Sequence, residues 1–82
     1  MAKTRSTTET AHTAQDVRAA LSSRELQVVR LIAEGGLSNK QIGERLELSD
    51  KTIKNHISHI LAKLNLSART QVAIVAIRTG IV

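Results

Sequence analysis

One short phrase occurs three times between Leu21 and Ile53, and it constrains the fold more than any other feature of the chain. The copies are Leu21-Ser-Ser-Arg-Glu-Leu26, Leu37-Ser-Asn-Lys-Gln-Ile42 and Leu48-Ser-Asp-Lys-Thr-Ile53. Each has the chemistry of a helix start. The serine (Ser22, Ser38, Ser49) is placed to cap, its hydroxyl accepting a first-turn N–H that has no partner within the helix. Glu25 and Gln41 follow three residues later and complete capping boxes; Thr52 is a weaker version. The leucine before each cap pairs with the apolar residue five positions on, as a hydrophobic staple. The second and third starts are only eleven residues apart. That spacing leaves room for a short helix, a tight turn and a new helix.

The spacing predicts helices over residues 23–34, 39–47, 50–65 and 68–79, an all-α fold of four helices spanning residues 21–82. Gly35 and Gly36 end the first of these, one of them in the left-handed region. Leu26, Val29, Ile32 and Ala33 form its inward stripe; Ile42 and Leu46 form that of the second. Gly43 lies beside them, where a glycine implies close approach of the third helix. Residues 1–20 are rich in Thr and Ala, with no apolar period before Val17. They read as a flexible arm, with a helical turn or two available over residues 14–20.

The third predicted helix has two unlike faces. Ile53, Ile57, Ile60, Leu61 and Leu64 make a continuous buried stripe. Lys51, Lys54, Asn55, Ser58 and Ala62 lie opposite, a strip that is small, polar and cationic. A merely solvated face would mix glutamate with lysine at i, i+4; here the only acid is Asp50, in the first turn, where the helix dipole favours it. A short helix, a turn and a helix of this kind form the skeleton of a helix-turn-helix DNA reader. Charge agrees: the chain carries twelve Lys and Arg against seven Asp and Glu, and residues 21–82 keep nine of the former and five of the latter. The excess therefore lies in the domain and favours an anionic partner. In the groove, Lys54 would donate to guanine O6 and N7, Asn55 would pair with adenine N6 and N7, and Ser58 would read a base directly or through water. Lys40 and Lys63 would neutralise phosphate.

The fourth predicted helix is apolar almost all round. Arg69, Val72, Ala73 and Ala76 can face the core, which leaves Thr70, Ile74 and Ile77 on another side. A helix apolar on two faces in so small a domain implies a partner, read here as a second copy. Other chemistry is poorly supplied. There is no cysteine, hence no disulfide or thiolate metal site. His56 and His59 lack a third ligand, so no metal or other cofactor is expected. Asp50, His56 and Ser58 show no nucleophile–base geometry, so the chain does not read as an enzyme. No aromatic residue is present to anchor a membrane-surface helix. No signal peptide is visible, so the expected location is the cytoplasm. The strongest rival is a helix-turn-helix adaptor that docks on protein instead of DNA.

Taken together, Leu21-Ser-Ser-Arg-Glu25, Gly36-Leu-Ser-Asn-Lys-Gln-Ile42, Leu48-Ser-Asp-Lys-Thr-Ile-Lys-Asn-His56 and Lys63-Leu-Asn-Leu-Ser-Ala-Arg69 resemble the signature of LuxR/GerE-type helix-turn-helix domains. These are the effector domains of NarL/FixJ-type response regulators and of quorum-sensing regulators. The resemblance covers residues 21–82. It implies transcription regulation, entry of the third helix into the major groove, and dimerisation through the fourth. Lys54, Asn55 and Ser58 fall where such domains read bases, and Lys51 where a further DNA contact is common. Ser38, Asn39, Lys40, Thr52 and Lys63 match positions that approach phosphate. The implied partners are double-stranded DNA and a second copy, with RNA polymerase a further candidate; no small-molecule ligand and no membrane are implied. Two departures stand out: Gly35-Gly36 is one residue longer than the usual single-glycine turn, and Gly43 replaces a customary alanine. No receiver or autoinducer-binding domain lies within these residues, and the arm over residues 1–20 resembles an interdomain linker.

Overall fold

The computed structural model describes residues 13–81. Among them are five helices and no strand: α1 (Ala14–Ala20), α2 (Ser23–Glu34), α3 (Asn39–Leu46), α4 (Asp50–Leu64) and α5 (Arg69–Thr79). The all-α expectation holds, with one helix more than the four predicted. The extra helix is the turn or two that residues 14–20 had available. Residues 13–20 are not part of a loose arm; the rest of that arm, residues 1–12, lies outside the described residues. A capping box starts α1, with Asp16 N–H donating to Thr13 Oγ1 at 3.1 Å and Thr13 N–H donating to Asp16 Oδ2 at 3.5 Å. Val17 is fully buried, in the same core as α2, α4 and α5. A single valine in seven residues has no period to detect, so its burial shows only in the tertiary packing.

The repeated phrase does what its chemistry predicts. Glu25 and Gln41 N–H groups each donate to the cap serine at 3.1 Å, and their side chains accept from the Ser22 and Ser38 N–H groups at 2.8 Å. At the third start, Thr52 N–H donates to Ser49 Oγ at 3.1 Å, and that hydroxyl donates to Thr52 Oγ1 at 2.9 Å. The start of α5 differs by one residue from expectation. Ala68, not Ser67, is the N-cap, and Gln71 Oε1 reaches back to accept from the N–H groups of Ser67 and Ala68 at 2.7 and 3.0 Å.

Helix ends make the turns tight. Glu47 and Asn65 take the left-handed conformation at φ 59° and 57°, so α3 and α4 each stop one residue before the predicted position. Leu48 N–H then bonds back to the Gly43 carbonyl at 2.8 Å, and Leu66 N–H to the Leu61 carbonyl at 2.8 Å. These are six-to-one bonds of the Schellman type. Leu48 therefore closes α3 and, as the residue before Ser49, staples α4. Gly43 is needed here: a Cβ on it would run into the Leu48 carbonyl oxygen. The close approach is that of the turn, and not of the third helix body as the sequence implied. Gly35 and Gly36 both hold positive φ, at 86° and 75°, so the double glycine is one continuous excursion that side chains resist.

The core is Val17, Val28, Val29, Ile32, Ile42, Ile53, Ile60, Val72 and Ala76, each at most 5 % exposed, with Leu21, Leu31, Ile57, Leu64, Val75 and Ile81 around them. Fully burying one such aliphatic side chain stabilises the fold by roughly 1.5–3 kcal/mol. The expected stripe of α2 was incomplete: Val28 and Leu31 are buried, while Leu26 and Ala33 are half-buried. α2 packs chiefly on α5, and α3 on α4, so α4 is held from behind with its other side open.

Candidate nucleic-acid interface

α4 is a 15-residue rod whose buried residues are Ile53, Ile57, Ile60 and Leu64. Lys51, Lys54, Asn55 and Ser58 are all exposed, as is Ala62 one turn further on. Their spacing puts them on one side of the helix. The only acid on the rod is Asp50, exposed in its first turn. His59 is exposed and His56 half-buried. Among the described residues, no three His, Asp or Glu side chains gather where they could hold a metal ion.

The phosphate candidates divide into groups. Ser38 and Lys40, at the first turn of α3, are exposed. Thr52 is half-buried, its hydroxyl accepting from Ser49. Asn39 is half-buried and its Oδ1 accepts from Arg69 Nη1 at 2.7 Å. Lys63 is exposed near the end of α4, and its ammonium donates to Glu25 Oε1 at 2.8 Å, at the start of α2. That carboxylate is only 5 % exposed, whereas the lysine side chain is 43 % exposed. No local pattern pairs Glu25 with Lys63, since 38 residues separate them. Burial pushes the Glu25 carboxyl up, but the bonds from Lys63 and the Ser22 N–H and the nearby lysine charge outweigh it and leave the group below its ordinary value.

Arg69 is half-buried at the head of α5. Its partners are neutral: Asn39 Oδ1 and, through Nη2 at 2.8 Å, the Leu37 carbonyl. No acid shares it. By contrast, Arg45 and Glu34 form a loose surface pair at 3.4 Å, each side chain 54 % exposed, a geometry worth little in water. On α5, Thr70, Ile74 and Ile77 share an exposed side at i, i+4 and i+7. Ile74 is 47 % exposed and Ile77 63 %, the two large apolar side chains left open among the described residues.

Residues 19–76 match the GerE family, described as bacterial regulatory proteins of the luxR family. The chain belongs to that family. Its luxR-family relatives include the transcriptional regulatory protein LiaR of Bacillus subtilis (strain 168), 52 % identical over 62 residues, covering 76 % of this chain and 29 % of LiaR. The transcriptional regulatory protein DegU of Brevibacillus brevis is 47 % identical over 60 residues, covering 73 % of this chain and 25 % of DegU. The DNA-binding transcriptional activator DevR/DosR of Mycobacterium tuberculosis (strain ATCC 25618 / H37Rv) is 45 % identical over 62 residues, covering 76 % and 28 %. The chain thus spans little more than a quarter of the length of these relatives. The family is one of bacterial regulatory proteins, and these relatives are regulators of transcription. No single helix among its described residues is long and apolar enough to cross a membrane.

Proposed function

We propose that this luxR-family domain reads specific sequence in duplex DNA by laying α4 in the major groove. One observation carries the reading: α4 turns its isoleucines inward and shows solvent a strip of Lys51, Lys54, Asn55 and Ser58 with no acid beyond the first turn. Lys54 donates to guanine O6 and N7, Asn55 pairs with adenine N6 and N7, and Ser58 and Lys51 contact neighbouring bases. Ser38, Asn39, Lys40 and Thr52 meet phosphates, which set the register of α4. Lys63 joins that set: its side chain is 43 % exposed, and an ammonium has three N–H groups, of which the bond to Glu25 uses one. The location in keeping with this role is the cytoplasm, and RNA polymerase is the second candidate partner.

Two copies joined through Thr70, Ile74 and Ile77 of α5 read half-sites about one helical turn apart. The exposure of the two isoleucines supports this pairing. Aspartate at Ile74 is expected to give a monomer in sedimentation, with little change in thermal stability because the side chain is already half in water. An unaltered mass would remove α5 from the interface.

A salt titration tests the DNA reading as a whole. If each protomer neutralises about four phosphates, log affinity against log salt falls with a slope near −7 for the dimer. A protein-docking adaptor of the same fold gives no gel shift on any duplex, and a slope near zero rules the DNA reading out.

A further inference from the structure

Among the described residues, Arg69 is the one side chain whose hydrogen bonds tie the head of α5 to the first turn of α3. Its guanidinium donates to the Leu37 carbonyl just before the Ser38 cap and to Asn39 Oδ1 just after it, at 2.8 and 2.7 Å. A guanidinium only donates, so the atom Asn39 turns toward it has to be the amide oxygen. The other end of that amide, Nδ2, is a donor and is thereby left for a different partner. A planar fork with two fixed bonds holds this orientation better than a single ammonium could. Both acceptors are neutral, so the arginine charge meets no carboxylate there, unlike that of Lys63.

We propose that Arg69 is a positioning residue for DNA binding: it fixes the Asn39 amide with Nδ2 as a donor to a phosphate oxygen, without touching DNA itself. The inference rests on the reading of the first turn of α3 as a backbone contact. It also explains why an arginine stands at the head of α5, where no carboxylate receives it. The fork joins the helix that would pair two copies to the helix that would grip the backbone, so movement of α5 reaches the phosphate contact through one side chain.

Binding of the full chain to its selected duplex, at fixed salt, tests this in a double-mutant cycle. Asn39→Ala is expected to weaken binding about tenfold, the cost of one hydrogen bond to a charged group. Arg69→Lys keeps the charge but loses the fork, so it should weaken binding to a similar degree with the salt slope unchanged. Arg69→Lys combined with Asn39→Ala should be no weaker than Asn39→Ala alone. Additive losses would mean that Arg69 acts on stability only, and would overturn the proposal while leaving DNA binding itself intact. The wild-type chain supplies a second readout that does not depend on a variant folding. The side-chain amide resonances of Asn39 should move on adding the duplex, and signals that stay in place while backbone resonances of α4 shift would overturn it equally. Loss of all salt-dependent binding in the wild type would instead sink the DNA reading beneath it.

Discussion

Alanine at Lys54 is expected to remove about 1–3 kcal/mol of discrimination between the preferred base pair and its alternatives, and Asn55→Ala the same at the neighbouring position. The effect follows from where the side chains stand. Both are exposed, on the side of α4 opposite the isoleucines, and reach outward from a rod whose orientation is set by the core. Because neither is packed, each change should leave thermal stability within about 0.5 kcal/mol. Selection of bound sequences from a random duplex library gives the site, and competition against single-base variants gives the discrimination. Lys40→Ala is the internal control: a phosphate contact weakens all sequences about equally. If Lys54→Ala left the base preference unchanged, α4 would not be docked as described.

The largest expected loss of stability from a single polar side chain is at Glu25. Its carboxylate accepts from the Ser22 N–H at 2.8 Å and from Lys63 Nζ at 2.8 Å, and it is almost wholly buried. Glu25→Ala deletes one half of a capping box, worth about 1 kcal/mol, and leaves a small void behind. Lys63 is 43 % exposed and can turn to water, so its share of the pair is discounted. The sum is a loss of roughly 1–3 kcal/mol; in a domain of this size each kcal/mol lowers the melting temperature by about 4–8 °C. Glu25→Gln keeps the acceptor for Ser22 but loses the charge, and should cost less.

The pH dependence has a definite sign. The folded carboxyl lies below its ordinary value, so the unfolded chain binds the proton first as acid is added. The stabilisation is complete above the unfolded value and disappears as pH falls through the folded one. The wild type should therefore lose stability on acidification below the ordinary glutamate range by more than Glu25→Gln does. Parallel melting curves for the two proteins across that range would show instead that the pair adds nothing.

Local chemistry in this chain was readable because it works within a turn of helix. Ser22 and Glu25, or Ser38 and Gln41, are three residues apart, and the isoleucines of α4 recur at three and four, so cap and stripe are visible without any fold. The candidate face of α4 follows from the same count, since whatever lies opposite a buried stripe is presented to solvent. Three things were not readable. Val17 is a lone apolar residue whose burial depends on α1 lying against the core. Lys63 has the charge and place of a phosphate contact, yet Glu25 reaches it across 38 residues of chain. Arg69 finds Asn39 across 30.

The sequence by itself determined where α2, α3 and α4 begin, which side of α4 faces inward, and that the outward side of residues 50–65 is cationic and small. Those properties depend on hydrogen bonds and periodicities that close within a few residues. Only the tertiary structure decided which cations meet a carboxylate inside the domain, because that depends on what the packing of α2 and α5 brings beside them. Among the described residues Lys63 meets a carboxylate and Lys54 does not, although the same helix carries both.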